Sequence, residues 1–487
     1  MTRPPAAPTD GLDRSVPTDH GTPAGAPAAS RGVGAPPASD LPRLVSRTRV
    51  LAPGEVDDLL DVLGHDGFAW IRAGAGFVTS GVAARIAVGT GPARFERAAE
   101  VVAGMLGSIA VDGPSPIGDA GPGAGPIAVG ALPFDDRTPG SLVVPAVVVL
   151  RRSDGSGWVT TTLPDGSTVG PGAVSSPADP GWVPHRNGTP SAPAGSRGTV
   201  VTSTNGSPAP GPGADIGVRE DPGRAVWTEA VRRILAAIDA GDVRKVVLAR
   251  RLTVEAGAPF DRRTVLDRLR HSHPSCFTYA AGGFVGASPE LLIRRRGDEV
   301  ASCPMAGTVR RGAGPEEDDA LTAGLLRSVK EAEEHRLLVE AVVAALAPVC
   351  VGPPAAGAPD VVRFPTVSHL ATRVRGVLRR PAPSALALAG LLHPTPAVGG
   401  LPRAGALATI AALEGFDRGL YAGPVGWVDA AGDGEWAVAL RGAQLEGRRA
   451  RLVAGAGIVA GSDPDAEWAE TEAKLRPMLA AVGALPA

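Results

Sequence analysis

The sequence predicts an α+β fold. Strand-like segments come in consecutive runs, helix-like segments fall between those runs, and regular strand–helix–strand alternation is rare. The chain has 487 residues, of which 44% are apolar, enough for a sizeable core. That length suits roughly two to four domains, or one large unit with additions.

Taken in order, residues 1–40 are mostly Pro, Ala, Gly, Ser and Thr, with few large apolar side chains. Such a segment does not bury enough surface to offset its ordering entropy, so a disordered tail is expected. Residues 41–217 read as an α/β front part. Segment 67–81 (GFAWIRAGAGFVTSG) alternates and turns like a hairpin. Segment 95–109 spaces Phe95, Ala98, Val102 and Met105–Leu106 along one helical face. Segment 141–152 (SLVVPAVVVLRR) is expected to form two strands separated at Pro145, because proline cannot donate to a ladder. Segment 115–126 reads as a long loop, and 165–217, rich in Gly, Pro, Ser and Thr, as a mobile insertion.

Signals become dense over 218–487. An amphipathic helix over 225–242 ends at Gly241, and a β-rich strand follows at 245–256. Short strands with glycine turns fill 277–312, and 316–346 is a long helix or a bent pair. SALALAGLLHPT and PRAGALATIAALEGFDRG are helical or loop–helix. LYAGPVGWVDA, EWAVALRGAQLEG and RARLVAGAGIVAG read as three strands, and 463–482 as a closing helix.

Net charge is -2, so nothing in the bulk electrostatics favours nucleic acid or an anionic membrane. The three cysteines, Cys276, Cys303 and Cys350, show no paired or zinc-type spacing and suit reduced, buried thiols. No apolar run is long enough to span a membrane, and the first residues lack a signal-peptide core, so a cytoplasmic location is expected.

Several acids and bases are candidates for chemistry. In the closing helix Asp463 can cap the N-terminus with Pro464 at the first position, and Glu467, Glu470 and Lys474 then share one face. The same spacing describes a solvated face with a Glu–Lys pair. Lys330, Glu331, Glu333, Glu334 and His335 crowd another helix, again as a charged surface or as carboxylates for a cation. Lys245 opens a strand; exposed it is inert, while buried beside other cations it would lose its proton and serve as a base. Glu290 precedes the apolar Leu291–Ile293, where a carboxyl with a raised pKa would act as an acid; a strand-edge glutamate facing water is the alternative. The glycine-rich 455–464 stretch lacks the dinucleotide pattern but leads into a helix whose N–H groups suit a carboxylate.

Nine of these stretches, KVVLAR (245–250), GASPELL (286–292), PMAGT (304–308), KEAEEH (330–335), HPTPAVGGLP (393–402), FDRGLYAGPVGW (416–427), ALRGAQL (439–445), AGAGIV (454–459) and EWAETEAKL (467–475), together resemble the chorismate-utilising enzymes, anthranilate synthase component I among them. The resemblance implies a single large fold with two β-sheets packed as a sandwich, helices outside, and a catalytic region over 218–487. It also implies Mg²⁺ held by Glu334 and Glu470, with support from Glu331 and Glu467, and chorismate as substrate. Lys245 is then the base that activates water and Glu290 the acid for the leaving hydroxyl. Gly307, Thr308, His369, Ala397, Tyr421, Arg441, Gly455 and Lys474 surround the substrate.

Ala306 stands where aminodeoxychorismate synthases resembling this chain carry a nucleophilic lysine, and a lysine at 245 implies water as the nucleophile. Isochorismate synthase activity is therefore expected, ahead of salicylate synthase, whose members typically carry threonine where this chain has Ala397. No nucleic-acid or membrane partner is implied, and a monomer or weak homodimer is expected.

Overall fold

The computed structural model describes residues 43–52, 54–112, 123–168, 185–186 and 216–485. The expected tail at 1–40 lies outside this set, as does most of 115–126 and of 165–217.

Two large antiparallel sheets dominate. The first runs, strand beside strand, through Leu44–Val50, Gly157–Pro164, Gly140–Arg151, Ala75–Val88, Phe68–Arg72, Phe277–Ala281, Phe284–Ser288, Gly442–Glu446, Arg449–Ile458 and Lys245–Glu255. The second runs through Ile127–Ala131, Pro424–Asp429, Gly434–Val438, Leu291–Arg296, Glu299–Cys303 and Val374–Val377. A single pair, Val129↔Val143, joins them. Front and rear parts of the chain interleave in both sheets, as at Tyr279↔Trp70 and Val425↔Ala131.

Burial explains the layering. Aromatic residues of the neighbouring strands Ala75–Val88, Phe68–Arg72 and Phe277–Ala281 (Phe68, Trp70, Phe77, Phe277 and Tyr279) meet Trp427 of the second sheet in a core between the sheets. Trp70 stacks on Phe277 at 4.9 Å between centroids, and Phe77 meets Trp427 edge-on at 6.0 Å. Two further cores cover the outer faces. One packs the helices Arg94–Ser108, Arg224–Asp239, Val329–Leu346, Ala385–Leu392 and Arg403–Leu413; the other packs Arg262–Ser272 and Pro464–Ala481. The expected α+β sandwich with outer helices is thus observed. A small sheet of Met305–Arg310, Val367–Ala371 and Asp360–Arg363 stands apart.

Three local expectations change. Segment 141–152 is one strand, Gly140–Arg151; Pro145 is accommodated because the partner strand shifts register between Val82 and Ala84. EWAVALRGAQLEG is two strands, Gly434–Val438 and Gly442–Glu446, parted where Arg441 adopts a left-handed φ of 51°. Segment 316–346 resolves into helices Pro315–Arg327 and Val329–Leu346, split at Ser328, whose side chain accepts from the Glu331 N–H and caps the second. The three cysteines are unpaired, Cys276 and Cys350 buried and Cys303 partly so. Among the described residues no helix is long and apolar enough to cross a membrane.

Candidate active site

Every residue that the resemblance implies as catalytic, substrate-binding or metal-binding lines one cavity, while Glu333 pairs with Arg336 on the surface and His335 is buried against Thr372. The cavity opens where the end of the first sheet meets the small sheet and the helices Val329–Leu346 and Pro464–Ala481.

Lys245 is the first residue of its strand and is buried. Its Nζ donates to Glu334 Oε1 at 2.6 Å. The amine expected to stand neutral among cations therefore sits in an ion pair instead. Its partner comes from a helix far along the chain, a proximity no local pattern reveals. Gly457, on the paired strand, leaves room for this contact. A Cβ there would come within 2.9 Å of Glu334 Oε1 and 3.0 Å of Lys245 Cε.

Glu290 lies between the strands Phe284–Ser288 and Leu291–Arg296, where the second sheet shifts register, and is 4% exposed. Burial pushes its carboxyl up to about 7, although Lys245, Arg441 and Lys474 all favour the charged form. It can hold a proton at neutral pH, as the apolar run beside it suggested.

Across the cavity, Gly307 and Thr308 belong to the small sheet, with Gly307 at a φ of 76° where the register shifts. His369, on the neighbouring strand, is buried. Desolvation, with Arg441 and Lys474 nearby, lowers its pKa to about 3, so it is a neutral imidazole. Nδ1 lies 3.1 Å from the Gly307 carbonyl and Nε2 3.3 Å from Arg441 Nη2. A carbonyl only accepts and a guanidinium only donates, so Nδ1 carries the hydrogen and Nε2 receives from Arg441. The histidine thus orients the arginine. Arg441 is held from the other side by its own backbone, whose carbonyl accepts from the Ala287 N–H at 3.2 Å. Tyr421 places its hydroxyl beside Gly455, and Lys474 Nζ donates to the Gly455 carbonyl at 3.0 Å. Ala397 and Ala306 present only methyl groups to the space between.

The acidic side is built by two capped helices. Asp463 accepts from the Asp465 and Ala466 N–H groups with Pro464 following, as its sequence predicts, and this sets Glu467, Glu470 and Lys474 toward the cavity. Burial, then the charges of Glu334 and Glu470, raises Glu331 to about 7. Glu467 is also raised, by burial and then by Glu470, with Lys330 only 3.5 Å away. Glu470 resists its own burial and stays below the ordinary range because Lys474, at 2.5 Å, and Thr308 favour its charged form.

Among the described residues no three His, Cys, Asp or Glu side chains are grouped to hold a metal together. Mg²⁺ asks for less, since it takes oxygen ligands and keeps several waters. The donor set fits that ion: it is all-oxygen and comes from two helices, and burial together with neighbouring carboxylates pushes Glu331 and Glu467 up, a clustering of acids that a divalent cation would relieve. The lining sets Lys245, Lys330, Arg441 and Lys474 among Glu290, Glu331, Glu334, Glu467 and Glu470. A dianion would meet these acids as well as the cations, and a divalent ion held by the carboxylates would add to its attraction.

Sequence reasoning missed Lys330, Val247, Met305, Leu440 and Gly457 as cavity residues. Lys330 was visible only as part of a charged run; Gly457 had a signal in the alternation of glycines along its strand.

A sequence model described as chorismate binding enzyme matches residues 197–483. A Mycobacterium tuberculosis protein provisionally named isochorismate synthase MenF is 41% identical over 374 residues, spanning 74% of this chain and 87% of that protein. Isochorismate synthase DhbC of Bacillus subtilis is 42% identical over 268 residues, 53% of this chain and 67% of its own. Among solved structures, the menaquinone-specific isochorismate synthase MenF of Escherichia coli aligns over 90% of this chain and 95% of that one, with 25% identity and a TM-score of 0.70.

Proposed function

The chain belongs to the chorismate-binding enzymes, and from that premise we infer that it is an isochorismate synthase, an isomerase that converts chorismate to isochorismate. The observation that carries the mechanistic reading is that Lys245 and a Glu290 held up to about 7 face one cavity. An amine and a carboxyl able to give a proton in one space are the two groups that a water addition coupled to hydroxyl loss requires.

Lys245 removes a proton from a water molecule whose oxygen bonds to C2 of the ring. The ring double bonds shift, the C4–oxygen bond breaks, and Glu290 delivers its proton to the departing hydroxyl. One water enters and one leaves, so no redox partner is needed. For the base role Lys245 must first let go of Glu334 and of its own proton; the ion pair is the resting arrangement. Ala306 leaves no amine where a competing covalent nucleophile would stand.

The rest of the lining binds and orients. Arg441, steered by His369, is suited to grip a carboxylate with its fork, and Tyr421 and Gly455 stand alongside. Glu334 and Glu470 are the proposed Mg²⁺ ligands, with Glu331 and Glu467 acting through water. The ion would neutralise and anchor the ring carboxylate.

The product is proposed to feed menaquinone synthesis. The relative matched over 87% of its length carries the MenF name, and the MenF of known structure is called menaquinone-specific. A cytoplasmic enzyme acting on a small molecule, with no nucleic-acid or membrane partner, is part of the same reading.

Incubating the purified protein with chorismate and Mg²⁺ and identifying the products tests it. Isochorismate alone is expected. Salicylate with pyruvate would make the protein a salicylate synthase, and unchanged chorismate would remove the enzymatic reading.

A further inference from the structure

The strand that opens with Lys245 has one edge paired throughout, from Val246↔Ile458 to Glu255↔Arg449. Its other edge is paired only near the ends. Gly400–Leu401 covers Lys245 and Val246, the Val247 N–H donates to the Gly399 carbonyl at 2.9 Å, and Gly217–Asp221 covers Arg251 onward. Between them lies a gap in the ladder, beside the reaction cavity.

Two buried side chains fill that gap. The Ala249 N–H donates to Glu414 Oε1 at 2.8 Å, and the Val247 carbonyl accepts from Arg418 Nη2 at 2.7 Å. Glu414 closes the helix Arg403–Leu413, Arg418 follows four residues later, and each side chain is 2% exposed. Arg418 Nε donates to Glu414 Oε2 at 2.8 Å, and Nη2 reaches Glu414 Oε1 as well. Arg418 Nη1 donates to the Val398 carbonyl at 2.7 Å, and the guanidinium lies 4.4 Å from the centre of the Phe134 ring. A pair buried this deeply is rarely worth more to stability than apolar residues of the same size. What an apolar pair does not supply is a donor and an acceptor in the order of a strand edge, bridging Val247 to Val398, two residues of the cavity lining.

We propose that Glu414 and Arg418 are positioning residues for the isomerisation, an ion pair that replaces the missing strand and fixes the Lys245 strand against the Ala397–Val398 wall. Neither residue lines the reaction cavity, so both act through the backbone. The proposal rests on the reading of Lys245 as the base, and its test separates the two.

The test compares wild type, Glu414→Gln, Arg418→Lys and the apolar double variant Glu414→Leu/Arg418→Met. Readouts are kcat and KM for chorismate, thermal unfolding, and hydrogen exchange at the Ala249 amide. The double variant is expected to unfold near the wild-type temperature, to exchange at Ala249 at least about tenfold faster, and to lose at least about tenfold in kcat with KM within about threefold. Glu414→Gln keeps an acceptor for Ala249 and should recover most of that protection and of kcat. Arg418→Lys, a point charge that cannot span two carbonyls and a carboxylate, should not.

A folded double variant with near-normal kcat overturns the proposal. So does a kcat that falls only in step with unfolding temperature across the series. If the double variant does not fold, Arg418→Lys decides by the same criteria. A wild type inert toward chorismate removes the functional reading instead, and Ala249 exchange unchanged in the double variant then still refutes the bridge.

Discussion

Replacing Glu290 with Gln keeps the shape of the side chain and removes its proton chemistry. In the folded protein burial holds this carboxyl protonated up to about 7, against an ordinary 4.5. Between those values the unfolded chain has released its proton while the folded chain keeps it. The stabilising contribution is therefore complete below 4.5, declines as pH rises through about 7, and changes no further above that. At about 1.4 kcal/mol per pH unit the loss comes to roughly 3 kcal/mol. Glutamine has no proton to lose. The stability of Glu290→Gln relative to wild type should therefore climb by about 3 kcal/mol across that window, while kcat falls about 10²- to 10⁴-fold. Urea unfolding of both proteins at a series of pH values between about 4.5 and 8 reads the first quantity, and turnover of chorismate at pH 7 the second. Two stability curves that stay parallel over the whole range would show that Glu290 is not held protonated, and the assignment of the acid would go with them.

The base and the metal site have simpler tests. Lys245→Ala should lower turnover about 10²- to 10⁴-fold while chorismate binding, followed by calorimetry, persists; near-normal turnover removes the base assignment. Glu470→Ala should shift the Mg²⁺ titration of activity, and the Mg²⁺-induced rise in unfolding temperature, to higher concentration about tenfold or more. Superimposable titrations would sink Glu470 as a ligand.

The legible parts of the sequence were those whose cause is local. Helical spacing put Glu467, Glu470 and Lys474 on one face, Asp463 and Pro464 marked the turn that aims them, and the apolar neighbours of Glu290 foretold its raised pKa. What stayed hidden depends on distant partners. Pro145 looked like a break because its acceptance rests on a register shift around Val82–Ala84, on another strand. The break at Arg441 needs a left-handed backbone, which glycine would have announced and arginine conceals. The Lys245–Glu334 contact, and the Glu414–Arg418 bridge beneath it, join segments that no periodicity connects.

Gly455 and Gly457 line one side of the cavity with bare backbone. A methyl on Gly455 would lie 2.9 Å from the Leu248 carbonyl and 3.2 Å from the Tyr421 hydroxyl, and one on Gly457 would press on Glu334 and Lys245. A side chain at Gly455 would press on backbone, and one at Gly457 would displace the Lys245–Glu334 pair. Ala306 and Ala397 line the same cavity with methyl groups alone, so they are the lining positions where a longer side chain would add a new functional group. An engineer seeking an altered product should vary those two alanines together and leave the glycines alone.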